Sequence, residues 1–187
     1  KSLVEAFTRN GVRLWLKDFS MDMPVPTVAA LAYDPASLGV KSEIVFTAGT
    51  ASSPVKAAIR AVTEIAQLAG DFETGSNYEA SGLRKFLSLG ELEWVTDGPS
   101  TDLNRLPNLE RADILEELRA FASGLAARGY TLYTVETTRA DLGVAANYSF
   151  VPGFQFRERT PRASVGLFVG RILAEDAPEE QAERGLE

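Results

Sequence analysis

Neither cysteine nor histidine occurs anywhere in these 187 residues. The two absences remove disulfides, thiolate nucleophiles, histidine general bases and zinc sites of the usual kind, so any chemistry must run on carboxylates, hydroxyls, amides, Arg and Lys. Positive charge is also in deficit, with 19 Lys and Arg against 26 Asp and Glu, a formal net charge of −7 and a pI near 4.8. That balance speaks against nonspecific nucleic-acid binding and against an anionic membrane surface, while suiting a divalent cation. There is no uninterrupted apolar run long enough for a membrane span, and the N-terminus lacks the charged, apolar and small-residue order of a signal peptide. A cytoplasmic protein with neither membrane nor nucleic acid as partner is the expectation. The first residue is Lys1, and Ser2–Arg9 reads as a helix already in progress, which predicts a chain that begins inside a longer protein.

What is present suits one domain or a large piece of one, since 45% of the residues are hydrophobic. The best-formed segment runs from Ser53 to Gly70. Ser52 or Ser53 supplies an N-cap oxygen, Pro54 takes the first helical position, and Gly70 marks the stop. Val55, Ile59, Val62, Ala66 and Ala69, flanked by Ala58 and Ile65, predict a buried face. Arg60, Glu64, Gln67 and Asp71 fall on the opposite face. Such a ribbon reads either as a solvated surface or as a ledge for phosphate and a hard cation such as Mg2+, because it offers a guanidinium, a carboxylate and an amide oxygen within two turns. The preceding Ala48–Ser53 stretch, rich in small residues before a helix N-terminus, is a weak anion-binding signal that matches no Walker A pattern.

Along the chain, Leu3–Arg9 is expected as a helix ended by Asn10-Gly11, Val12–Asp18 as a half-buried strand, and Thr27–Tyr33 as a strand covered on both faces. Glu43–Thr50 is a further strand. Residues 71–108 form a loop-rich, polar insertion in which short helices are expected. Ala112–Arg128 reads as a helix capped by Asp113 and Gly129, with Ile114, Leu115, Leu118, Phe121, Ala122 and Leu125 as its buried stripe. Strands follow at Tyr130–Thr138 and Gly143–Val151. Arg162–Glu175 reads as a closing helix, and residues 176–187 as an acidic, disordered tail.

Two segments share a plan. Aligning Gly11 with Gly129, and allowing one extra residue in the second turn, places Asp18 with Glu136, Ser20 with Thr138 and Asp22 with Asp141. Each half is then a helix, a strand, an acidic and hydroxyl-bearing turn, a second strand and a helix. The fold class expected is α/β (or α+β), a sheet-and-helix sandwich of two related helix-strand-strand-helix units.

Taken in order, Asp18-x-Ser20-x-Asp22-x-Pro-x-Pro, then Arg60-Ala-x-x-Glu64-x-x-Gln67, then Thr138-Arg-Ala-Asp141-Leu-Gly143 and Val151-Pro-Gly-Phe resemble the C-terminal half of the YcaO family. The resemblance covers Leu3 to about Ala174 and implies that residues 1–175 are the C-terminal portion of a YcaO-like domain. It implies ATP and Mg2+ as cofactors, with Glu64 and Gln67 as metal ligands and Arg60, Glu64 and Gln67 as nucleotide-binding residues. The activity it implies is phosphorylation of a peptide backbone amide oxygen, which makes that oxygen a leaving group for a Cys, Ser or Thr side chain in azoline formation, or for sulfide in thioamide formation. A ribosomal-protein modification accessory role belongs to the same family. The partners implied are a peptide or protein substrate, a TfuA-like or leader-binding partner protein, and a second copy in a homodimer. The family's Ser-x-x-Lys-Gly segment and its Glu-x-x-Glu or Glu-x-x-Arg helix belong to the N-terminal half, which the resemblance does not cover, so this segment alone is expected to be inactive and its catalytic residues stay unassigned. A non-catalytic peptide- or protein-binding module retaining the fold is the alternative.

Overall fold

The computed structural model describes residues 2–37, 42–69, 86 and 88–154. The chain divides into two compact units, 1–77 with 85–152 and 78–84 with 153–187. Nearly all described residues belong to the first. The predicted helix at 162–175, the tail, and most of 71–87 lie outside the described residues.

Helix α1, Ser2–Arg9, gives way at Gly11, where φ is +79°, to strand β1, Arg13–Asp18. The left-handed region favours glycine because it has no Cβ to clash with the next carbonyl. Strands β2, Thr27–Tyr33, and β3, Ile44–Thr50, complete an antiparallel sheet in the order β1-β2-β3. β2 is central and covered on both faces, as its continuous apolar run predicts. On one face Ala30, Ala32 and Val45 pack against Ala61 and Ile65 of helix α2, Pro54–Gln67, with Phe7, Val12 and Leu14 at the margin. On the other, Leu31 and Ile44 meet Leu92 and Val95, with Trp15, Phe46, Phe86 and Leu89 beside them. The expected short helices therefore appear, as 3-10 turns at Leu89–Leu92 and Leu103–Arg105 and a single helical turn α3, Glu93–Thr96, and the first of these turns together with α3 closes the sheet's second face.

Helix α4, Ile114–Ala126, is capped by Asp113, whose Oδ1 accepts from the Leu115 N–H at 2.8 Å. A two-stranded hairpin follows, β4, Tyr133–Glu136, and β5, Asn147–Phe150. Both strands are shorter than the β-branched and aromatic pattern predicts, because Arg139–Val144 is drawn into a turn with Gly143 at φ +61°.

The internal repeat is present in the backbone. Both helix ends close with the same bonds, Val12 N–H to Phe7 O and Tyr130 N–H to Leu125 O, each at 3.0 Å, around glycines at φ +79° and +75°. Asp18 pairs with Val28 across the first turn and Glu136 with Asn147 across the second, one residue longer, as the alignment requires. The matched hydroxyls also do the same work. Ser20 Oγ accepts from the Thr27 N–H at 3.2 Å, and Thr138 Oγ1 accepts from the Ala146 N–H at 3.1 Å. Each locks the start of the returning strand, at its first residue in one unit and at the residue before it in the other.

Two predicted faces are corrected. In α2 the buried residues are Pro54, Ala57, Ala58, Ala61, Val62 and Ile65, whereas Val55 and Ile59 are 51% and 56% exposed and Ala66 and Ala69 are exposed too. Opposite Gly49 the helix lies so near β3 that only Ala57 and Ala61 fit there. A Cβ on Gly49 would stand 2.4 Å from Ala57 O and 2.5 Å from Ala61 N. In α4 only Leu125 of the predicted stripe is buried. Ile114, Leu115 and Leu118 are exposed, because α4 touches its unit chiefly through its C-terminal turns, where Gly124 abuts Pro24.

Candidate functional site

Helix α2 positions the predicted ligands. Ser53 caps it, its Oγ accepting from the Lys56 N–H at 3.3 Å, and Pro54 holds the first helical position. Arg60, Glu64 and Gln67 follow at steps of four and three, so they share one flank of the helix, while Asp71 lies outside the described residues. Arg60 and Gln67 are exposed and Glu64 is half-buried. Among the described residues the Glu64 carboxylate and the Gln67 amide have no hydrogen-bond or ion-pair partner. Arg60 is engaged: its Nη1 donates to the Thr50 carbonyl at the end of β3, 2.9 Å away.

Three contacts seat this helix on β3. Thr47 Oγ1 donates to the Ala61 carbonyl at 2.8 Å in a buried position, Gly49 admits the backbone of Ala57 and Ala61, and Arg60 reaches Thr50. Thr50 is in turn tied to β2 by its hydroxyl, 2.8 Å from that of Thr27.

At the N-terminus of α2, where the sequence offers a weak anion signal, residues 48–50 are strand and carboxylates of the same chain lie beside the capping residues. Glu110 hydrogen-bonds Lys56 and Ser53, and its pKa is lowered chiefly by the Lys56 bond. Glu117 is lowered chiefly by its bond to Ser52, then by the Arg111 N–H. Lys56 is raised in return by Glu110, its ion-pair partner at 2.7 Å. These carboxylates place negative charge beside the positive end of the helix dipole.

Two oxygen donors one turn apart on a helix, unpartnered among the described residues, fit a hard cation that completes its shell with water and phosphate oxygens. They do not make a closed cage. Among the described residues no group of three or more Asp, Glu, His or Cys side chains converges on one point.

Comparison with known families supplies what geometry leaves open. Residues 1–155 match the family model described as YcaO cyclodehydratase, ATP- and Mg2+-binding. The chain belongs to the YcaO family. Among solved structures this YcaO chain is similar to the heterocyclase TruD, at 19% identity and a TM-score of 0.66, over 83% of this chain and 22% of that one. It is similar also to a heterocyclase in complex with substrate and cofactor, at 22% identity and a TM-score of 0.65, over 82% of this chain and 21% of that one. These likenesses show the fold, that of part of a YcaO-like domain. The chain spans about a fifth of the length of the solved structures it matches. No curated protein matches it. No helix among the described residues is long and apolar enough to cross a membrane.

Proposed function

We propose that this chain contributes the Glu64–Gln67 face of the nucleotide site in an ATP- and Mg2+-dependent enzyme that activates a peptide backbone amide for azoline or thioamide formation. The observation that carries the reading is the pair of oxygen donors on α2, unpartnered among the described residues, in a chain whose family is described as ATP- and Mg2+-binding. Bound Mg-ATP would supply the phosphoryl group that turns an amide oxygen into a leaving group. The chain's own part is to hold and orient. Glu64 brings negative charge to the cation, Gln67 adds a neutral oxygen one turn on, and the sheet beneath fixes both before ligand arrives. Arg60 stands on the same flank.

The substrate in this reading is a peptide, brought by a leader-binding or TfuA-like partner, and the enzyme works as a homodimer in the cytoplasm, where ATP is available. Nucleic acid has no part in it, in keeping with the acidic surface. Both similar structures are heterocyclases, which favours a Cys, Ser or Thr side chain as the replacing nucleophile over sulfide.

Peptide-dependent ATP consumption by the full-length protein tests the assignment. Glu64→Ala is expected to lower turnover by about two orders of magnitude and Gln67→Ala by about one, as the loss of an electrostatic contact to a charged transition state does. Unchanged turnover in both variants would remove the site.

A further inference from the structure

We infer that Arg60 serves the nucleotide face as a positioning residue, holding α2 in place through the Thr50 carbonyl rather than pairing with the Glu64 carboxylate, without itself touching a phosphate. The inference rests on the assignment of Glu64 and Gln67 to Mg-nucleotide and adds how their place is set.

A solvent-exposed arginine followed four residues later by glutamate on a helix ordinarily pairs with it. Here it does not. Arg60 turns to the strand end, donating to Thr50 O, and Glu64 is left without a partner among the described residues. Helical side chains lean toward the N-terminus of their helix, so this bond draws the guanidinium away from the flank where Glu64 and Gln67 follow.

The bond is one of three restraints confined to a single stretch of β3 and a single turn of α2. Thr47 fixes the depth and height of the helix through Ala61 O, Gly49 permits the close approach, and Arg60 closes the third side. Thr50 is no loose anchor, because its hydroxyl meets that of Thr27 on the central strand. The turn so held is the one immediately before Glu64. Since an α-helix moves as a rigid rod over two turns, any slip at Arg60 is passed on in full to Glu64 and Gln67, and a displacement of about 1 Å at a binding constellation costs as much as a hundredfold.

Coupling decides between seating and direct phosphate contact. Two residues that act through one seated helix give non-additive effects, whereas a phosphate ligand and a helix support multiply. Mg-ATP binding is measured by calorimetry on the full-length protein carrying Arg60→Met, Thr47→Val and both. Thr47→Val keeps the shape and deletes only the bond to Ala61 O, so it folds where Gly49→Ala risks not doing so. Arg60→Met is expected to raise Kd about tenfold and Thr47→Val about threefold, with the double variant no worse than about tenfold. A double variant near the thirtyfold product overturns the inference and makes Arg60 a direct ligand. Glu64→Ala is the control for the underlying assignment. If it leaves Mg-ATP affinity unchanged, that assignment falls. The seating itself is then judged by amide hydrogen exchange at Ala61–Ile65 in Arg60→Met, where faster exchange supports it and unchanged exchange refutes it.

Discussion

Met21 and Asp22 are the described non-glycine residues at positive φ, +50° and +60°, between Ser20 and Met23, whose N–H returns to Ser20 O at 2.9 Å. Those are the signs of a type I′ turn, a geometry that favours Asn-Gly because both central residues are left-handed. The strain is held by contacts from elsewhere in the chain: Arg128 Nε donates to Asp22 O, and Gly124 presses on Pro24. Asp22→Gly is therefore expected to raise stability by about 0.5–1 kcal/mol. Thermal unfolding checks it, with a midpoint roughly 2–4 °C higher as the outcome. Legibility differs sharply between these residues and Gly11. Asn10-Gly11 and Gly129 announce left-handed caps by composition alone, but nothing in Met21-Asp22 does, since the conformation is imposed by a helix more than a hundred residues away.

At the scale of elements, the two hydroxyl-locked turns differ in burial. Ser20 is 5% exposed, so Ser20→Ala leaves the Thr27 N–H unsatisfied away from water, while Thr138 is exposed and water replaces its bond. Ser20→Ala is expected to cost about 1–3 kcal/mol and Thr138→Ala under about 1 kcal/mol, read by denaturant unfolding. Equal costs would mean that the repeat is matched in energy as well as in form. The N-terminus of α2 carries a pH dependence. Glu110 and Glu117 have lowered pKa values, so their contribution is complete above the ordinary carboxylate range and is lost as pH falls through the lowered values; Lys56 is raised, so its share is present below its ordinary value of 10.5 and lost as pH rises beyond it. Thermal melts between pH 7 and 3 should fall less steeply in Glu110→Gln with Glu117→Gln than in the parent, and the difference should shrink in high salt because all three groups are solvent-exposed. The helix itself was plain from its cap and period. Its buried face was not, because hydropathy ranks Val55 and Ile59 above alanine, whereas the distance to β3, set by Gly49 in another element, admits only alanine there.

At the scale of the whole molecule, apolar surface is left over. Ile114 is 75% and Leu118 56% exposed on α4, and on one face of the hairpin Tyr133 stacks on Phe150, their centroids 5.4 Å apart, with Val135 and Tyr148 alongside, all solvent-exposed. The chain spans about a fifth of the length of the heterocyclases it resembles in fold, and the resemblance to the family's motif proposes Glu64 and Gln67 as ligands on one helix, while among the described residues no cluster of three or more acidic groups forms around them. Hydropathy predicts that the α4 stripe is buried and the structure leaves it bare, a conflict that experiment can settle on this chain as it stands. Ile114→Lys with Leu118→Lys should leave the unfolding free energy within about 0.5 kcal/mol per site, because both side chains are exposed. The same pair should reduce concentration-dependent light scattering and the fluorescence of a hydrophobic dye, by shrinking the exposed patch and adding charge to it. A loss of more than about 2 kcal/mol would instead show that the stripe is buried in solution, since a cost of that size requires placing an ammonium group among apolar contacts.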